Sequence, residues 1–262
     1  MLDLDLTGYR AIVTGGSQGI GAATVRTLAD HGAAVAFCAR SEKGVKALDG
    51  YQPPSGEGSA RGYVADMGNA DSVNTFLDAV EAEGSTDILV NNVGAGPSRN
   101  FLYMSDDDWT DLFELNLMSA VRCTRRCLPA MRKKKWGRVV MVASNAARYP
   151  GAVTIDYGSS KAAMVAAGKA LAGKYGRDQV LVNSVLPGLI RTEMWEHAAQ
   201  EISEARGGSA EDVFTNNSKS VPVGRYGTPE EVAAVILFLC SKASSYVNGV
   251  SFSIDGGQAP LA

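Results

Sequence analysis

Seven short runs rich in β-branched and apolar residues punctuate this chain: RAIVT (10–14), AAVAFC (33–38), RGYVA (61–65), DILVN (87–91), RVVMVA (138–143), VLVNSV (180–185) and VSFSID (250–255). Between most of them lie longer stretches with helical spacing, such as Ile20 to Asp30 and Ser105 to Met131. A strand that reaches the next through a helix is carried back across the sheet, so the two end up parallel. Parallel sheets are covered on both faces, and strands that are apolar almost throughout suit that double burial. The alternation therefore predicts an α/β fold, a parallel sheet with helices on both faces. Neither an internal repeat nor a linker rich in Pro, Gly or Ser divides the 262 residues, so a single domain is expected over 1–262.

Local chemistry supports these boundaries. TPEE (228–231) offers Thr228 as N-cap, Pro229 in the first helical position and Glu231 to close a capping box. SDDDW (105–109) places acidic residues in a first helical turn, and YQPPSGEGS (51–59) reads as a surface loop. The longest stretch without clear structure runs from Leu189 to about Arg225, and is expected to be a substrate lid over 189–225 with Met194 and Trp195 turned towards the substrate.

TGGSQGIG (14–21) follows the first strand and opens the first helix. In that setting glycines make a tight turn, let the backbone approach a pyrophosphate and pack helix against strand, while the helix N-terminus attracts the phosphates. The second strand ends FCARSE, with Ala39 where an acid would grip ribose hydroxyls, followed by Arg40 and Ser41. An arginine in place of a carboxylate favours a 2′-phosphate, so NADP(H) is expected over the alternative, NAD(H). Asp66 in ADM (65–67) and the glycine of NNVG (91–94) fall at further strand ends on the same edge.

Composition narrows the function classes. Lys plus Arg is 25 against 28 Asp plus Glu, a formal charge of -3 that gives no electrostatic case for nucleic acid or membrane partners. The longest apolar run, Val232 to Cys240, falls far short of the ~20 residues a membrane span requires. The N-terminus lacks a signal-peptide pattern, so a cytoplasmic location is expected. Cys38, Cys123, Cys127 and Cys240 read as packing residues, and only His31 and His197 could join them, so a metal site is not expected. His31 suits a helix end.

With these motifs in order, the chain resembles the short-chain dehydrogenase/reductase family across essentially its whole length. The matching segments are TGGSQGIG, NNVG, Asn116 in ELNLMSA, Ser144 thirteen residues before Tyr157, YGSSK (157–161) and PGLIRT (187–192), with YVNGVSFSIDGG (246–257) like the closing strand. NNVG departs from the usual NNAG, and Gln18 lacks a second basic residue that many NADP-preferring members carry. The resemblance implies a single-domain Rossmann fold, a doubly wound seven-stranded parallel sheet. It assigns dinucleotide contacts to Gly15, Ser17, Gln18, Gly19, Ile20 and Gly21 of the loop, and to Arg40, Ser41, Asp66, Met67, Asn92 and Gly94. Pro187, Gly188, Ile190 and Thr192 complete the cofactor set together with Tyr157 and Lys161.

The same resemblance implies hydride transfer between a nicotinamide and a ketone or secondary alcohol, catalysed by Asn116, Ser144, Tyr157 and Lys161. A free tyrosine has a pKa of ~10, too high for efficient acid–base work at neutral pH. Tyr157 and Lys161 are helical neighbours, and a nearby ammonium and a positive nicotinamide would both favour the phenolate. Ser144 is expected to hydrogen-bond the substrate oxygen, Lys161 to hold the nicotinamide ribose, and Asn116 to hold a water in a proton relay. Pocket walls are expected from Gly96, Asn145 and Tyr149 besides the lid. The basic run MRKKKWGR (131–138) reads as a solvated helix end, or as a dock for an acyl carrier protein as in related 3-oxoacyl reductases. The family also implies a homotetramer, or a dimer, with which the short tail GGQAPLA is compatible.

Overall fold

In chain order the computed structural model runs β1 (Arg10–Val13), α1 (Gly19–Asp30), β2 (Ala34–Ala39), α2 (Glu42–Lys46), β3 (Ser59–Val64), α3 (Ala70–Glu81) and β4 (Ile88–Asn91). It continues with α4 (Asp106–Phe113), α5 (Ser119–Lys134), β5 (Gly137–Val142), α6 (Ile155–Tyr175), β6 (Val180–Pro187), α7 (Glu193–Arg206), α8 (Ala210–Ser218), α9 (Pro229–Cys240) and β7 (Ser251–Ile254). Residues 2–54 and 56–259 are described. Ser55 of the expected surface loop and Pro260 to Ala262 of the tail lie outside them.

The seven strands form one sheet in the order β3-β2-β1-β4-β5-β6-β7, every pair parallel. It is a single Rossmann-like α/β domain. The order reverses between β1 and β4, and in such sheets ligands bind at the carboxyl ends of the strands beside that point. Strand residues alternate between two cores, as the two-residue period requires. Val13, Val35, Phe37, Val90, Val140 and Val142 pack on one face with Val25 and Leu28 of α1 and Ile236 of α9. Ile12, Cys38, Leu89, Val139 and Met141 pack on the other with Leu77 of α3, Cys127 of α5 and Met164 of α6. All four cysteines are free and buried, as expected of packing residues.

The helix starts obey their capping residues. Thr228 and Ser105 each close a capping box, with Glu231 and Asp108. His31 ends α1, where its Nδ1 lies 2.8 Å from the Thr27 carbonyl oxygen. Two expectations need correction. The helical spacing from Ser105 to Met131 does not form one regular α-helix: it is α4 and α5 joined by a π-helical turn, Glu114–Met118. The 189–225 segment expected to lack structure is largely helical, because α7 and α8 bury a small core of their own around Ala199, Phe214 and Tyr226, with Phe214 and Tyr226 edge to face at 4.9 Å.

Candidate active site

Crowding explains the glycines of the β1–α1 turn. A Cβ on Gly21 would stand 2.0 Å from the Gly15 carbonyl oxygen, so only glycine lets α1 start this close beneath the turn. Gly19 holds a φ of +51°. Asn92, expected as a ligand contact, is committed to bracing that turn: its Nδ2 donates to Thr14 O at 2.9 Å and Gly15 O at 3.0 Å. Thr14 Oγ1 answers by accepting from the amides of Asn92 and Val93 at 3.0 and 3.1 Å.

At the head of α1, Gln18 makes no side-chain cap and the first turn holds no acid. The free amide end has nevertheless drawn an anion, since the Glu193 carboxylate, carried by α7, accepts from Gly19 N at 2.9 Å. Sequence reasoning did not single out Glu193; an acid directly after the Thr192 N-cap is the available signal. Thr192 Oγ1 accepts from Trp195 N at 3.4 Å.

At the end of β2, Ala39 is buried while Arg40 is exposed, and Arg40 carries no ion pair among the described residues. Ser41 caps α2, accepting from Gly44 N at 3.2 Å. Asp66 is exposed, its Oδ1 accepting from Gly68 N at 3.0 Å. The Met67 side chain is 2 % exposed and belongs to the core, which leaves its backbone for the expected contact. On the far side Gly188 N donates to Ile254 O at 3.0 Å just after Pro187 ends β6. Ile190 pairs with Gly227 in a parallel bridge whose bonds run through Leu189 O and Arg191 N.

The groups expected to do chemistry converge. Tyr157 and Lys161 lie one turn apart on α6, with the Lys161 Nζ 5.9 Å from the centre of the Tyr157 ring. Nζ donates to the Val142 carbonyl oxygen at 2.9 Å, at the end of β5. Ser144, two residues further on, hydrogen-bonds Tyr157 and accepts from Ala146 N at 3.1 Å. Asn116 lies in the π turn, wholly buried. Its Oδ1 accepts from Ala95 N at 2.9 Å, and its Nδ2 donates to Ala95 O at 3.0 Å and Ser160 Oγ at 2.9 Å. A Cβ on Gly94 would fall 2.9 Å from Lys161 Nζ, and one on Gly96 would press on the Tyr157 ring at 3.0 Å.

Burial acts on both ionisable groups. It pushes the Tyr157 phenol above its ordinary value, against the opposing hydrogen bond from Ser144. It pulls the Lys161 ammonium down to about 8. The protein alone therefore holds Tyr157 as a protonated phenol, poised to donate rather than to accept.

The residues expected to form pocket walls are placed as follows. Asn145 Nδ2 donates to Gln258 Oε1 at 3.0 Å, bringing the C-terminal segment beside Ser144; nothing in the local sequence singles out Gln258. Tyr149 and Met194 are exposed. Trp195 instead packs against the small core of α7 and α8, edge to face with Tyr226 at 5.9 Å. The basic run leads from the end of α5 into β5, at the amino end of that strand; Arg132 and Lys135 pair with Asp178 and Lys134 with Asp87, while Lys133 is exposed. Among the described residues no cluster of three His, Cys, Asp or Glu side chains could hold a metal, and no helix is long and apolar enough to cross a membrane.

A family model described as enoyl-(acyl carrier protein) reductase matches residues 15–259. The chain is 36% identical over 260 residues to the oxidoreductase YvrD of Bacillus subtilis, covering 98% of each protein. It is 33% identical over 256 residues to the 3-oxoacyl-[acyl-carrier-protein] reductase FabG of Salmonella typhimurium, covering 97% of this chain and 99% of that one. The structure of L-sorbose reductase from Gluconobacter frateurii, complexed with NADPH and L-sorbose, matches with a TM-score of 0.93 at 30% identity over 100% of both chains.

Proposed function

The chain belongs to the short-chain dehydrogenase/reductase family, and from that premise we propose that it is an NADP(H)-dependent oxidoreductase interconverting a ketone and a secondary alcohol, with Tyr157 as general acid and base. One observation carries the reading: Ser144, Tyr157 and Lys161 converge on the glycine-lined edge at Gly94 and Gly96.

The residues fit the dinucleotide. Glu193 marks the α1 amide end as an anion site, Gly94 leaves a hollow beside Lys161, and exposed Arg40 offers its guanidinium to a 2′-phosphate. Gly19, Ile20 and Gly21 at the head of α1 would hold the pyrophosphate, with Ser17 and Thr192 beside it, while Lys161 would hold the nicotinamide ribose. When bound, the reduced dinucleotide supplies the hydride. In reduction Ser144 hydrogen-bonds the ketone oxygen and stabilises its developing charge, and Tyr157 gives that oxygen its phenolic proton. Lys161 stabilises the phenolate that results. Asn116 acts through its position in the π turn, since its side-chain amide is already bonded to Ala95 and Ser160.

Kinship with FabG favours a 3-oxoacyl carrier-protein substrate as the second reading, although three of the cations in the basic run already hold carboxylates. Assembly as a homotetramer or dimer belongs to the proposal as well, supported by the fully exposed Tyr246 before β7 and the exposed Phe101, Leu102 and Tyr103. A panel of free ketones, secondary alcohols and carrier-linked 3-oxoesters, followed by NADPH absorbance in both directions, tests the assignment. Turnover of at least one free ketone is expected; no turnover anywhere in the panel overturns it.

The cofactor preference has its own test. Arg40→Ala is expected to weaken NADPH binding by about 10- to 100-fold, the scale of a lost charge-assisted phosphate contact, and to leave NADH unchanged. Fluorescence titration with both nucleotides measures this. Equal affinity for NADPH before and after substitution removes Arg40 from the site.

A further inference from the structure

Directly before Tyr157 in the chain stands Asp156, a fully buried carboxylate. Its Oδ1 accepts from the Tyr157 amide at 2.8 Å and its Oδ2 from Arg99 Nη1 at 3.0 Å. Arg99 comes from the loop that follows β4 and closes over the Tyr157 ring at Gly96. The arginine is fixed at both ends. Its amide donates to Val153 O at 2.8 Å, just ahead of α6, and its guanidinium also meets Asp108 Oδ1 of α4 at 3.3 Å and Asp108 O at 3.4 Å. The residue at the N-cap position of α6, Thr154, makes no side-chain cap bond, so Asp156 supplies the anion in the first turn of that helix.

We propose that Arg99 and Asp156 are positioning residues for Tyr157, a clasp that sets the head of α6 against the loop after β4 and so fixes the phenol relative to Ser144 and the substrate. The inference rests on the assignment of Tyr157 as the acid–base group. A buried carboxylate is stable only when paired and hydrogen-bonded, so the Asp156 charge holds the loop and the helix head in a single relative arrangement. Neither residue touches the reacting atoms. Their effect passes through the placement of the phenol, and small displacements of a reacting group cost turnover steeply.

Arg99→Ala and Asp156→Asn are each expected to lower kcat for a ketone by about 10- to 100-fold, with NADPH affinity unchanged within twofold. The double variant should lose no more than either single one, because both act through one clasp. Arg99→Lys, which keeps a cation, should recover most of the turnover. A purely structural role would lower thermal stability while sparing kcat per folded molecule, and that result overturns the proposal; so do losses that multiply in the double variant. Hydrogen exchange gives an arm independent of any substrate. Peptides spanning 155–158 should exchange faster in Arg99→Ala than in the parent protein, and unchanged exchange there also overturns it. If no ketone is turned over by the parent protein, the acid–base assignment fails while the exchange arm still decides whether the clasp holds the head of α6.

Discussion

Replacing Tyr157 by phenylalanine is expected to cut ketone reduction about a thousandfold, within the range that general acid catalysis contributes, while NADPH binding is retained. Phenylalanine keeps the ring against Gly96 and over Lys161, so the packing of the site survives and only the proton is lost. Among the described residues the hydroxyl is bonded to Ser144, a single neutral hydrogen bond whose loss should cost the fold little stability. Steady-state kinetics alongside a nucleotide titration separates the two effects. Turnover within threefold of the parent enzyme would remove Tyr157 from the proton path.

Lys161→Met is expected to move stability and activity in opposite directions. Holding an ammonium whose pKa has been pulled from 10.5 to about 8 costs the folded state about 3 kcal/mol at neutral pH. Methionine fills the same space without the charge, at the loss of one hydrogen bond to Val142 O worth about 1 kcal/mol. A net gain of about 2 kcal/mol should raise Tm by roughly 5 °C, with turnover reduced at least about a hundredfold. The sign with pH is fixed. The unfolded chain keeps the proton up to about 10.5 and the folded one only to about 8, so the penalty is complete below pH 8 and fades between the two values. The Tm advantage of the variant should therefore shrink as pH rises through that window. A melt at pH 7 in which the variant is the less stable would show that the bond to Val142 outweighs the burial cost. In the parent enzyme, reduction should weaken as pH rises through about 8 and Lys161 loses its charge.

Most of the frame was legible because strands buried on both faces stand out as apolar runs between helical stretches. Val35 and Phe37 go to one face and Ala36 and Cys38 to the other, and since all four are apolar the run marks a strand without telling its faces apart. Tyr157 and Lys161 were legible as a pair because residues four apart are helical neighbours. The helices of the 189–225 segment were not legible because α7 and α8 bury few side chains, so their apolar spacing is faint against a charged background. The start signal of α8 was present even so, in the capping box of Ser209 and Asp212. The π turn around Asn116 leaves no mark in residue spacing, because one extra residue in a turn looks like an ordinary helix. Arg99 and Asp156 stand 57 positions apart, and no local pattern could have brought them together. The resemblance gave Met67 and Asn92 as dinucleotide contacts and the lid reading gave Trp195, but no sequence pattern showed that packing and hydrogen bonds engage these three side chains within the protein.

The four buried thiols give the molecule a built-in counter of its own opening. Burial holds Cys38, Cys127 and Cys240 up at about 12 and raises Cys123 as well, so no thiolate is presented to a reagent while the fold is closed. Cys38, Cys123 and Cys127 sit on one face of the sheet and Cys240 on the other. The order in which a thiol probe marks them therefore reports which layer of helices lifts first, without any label being introduced.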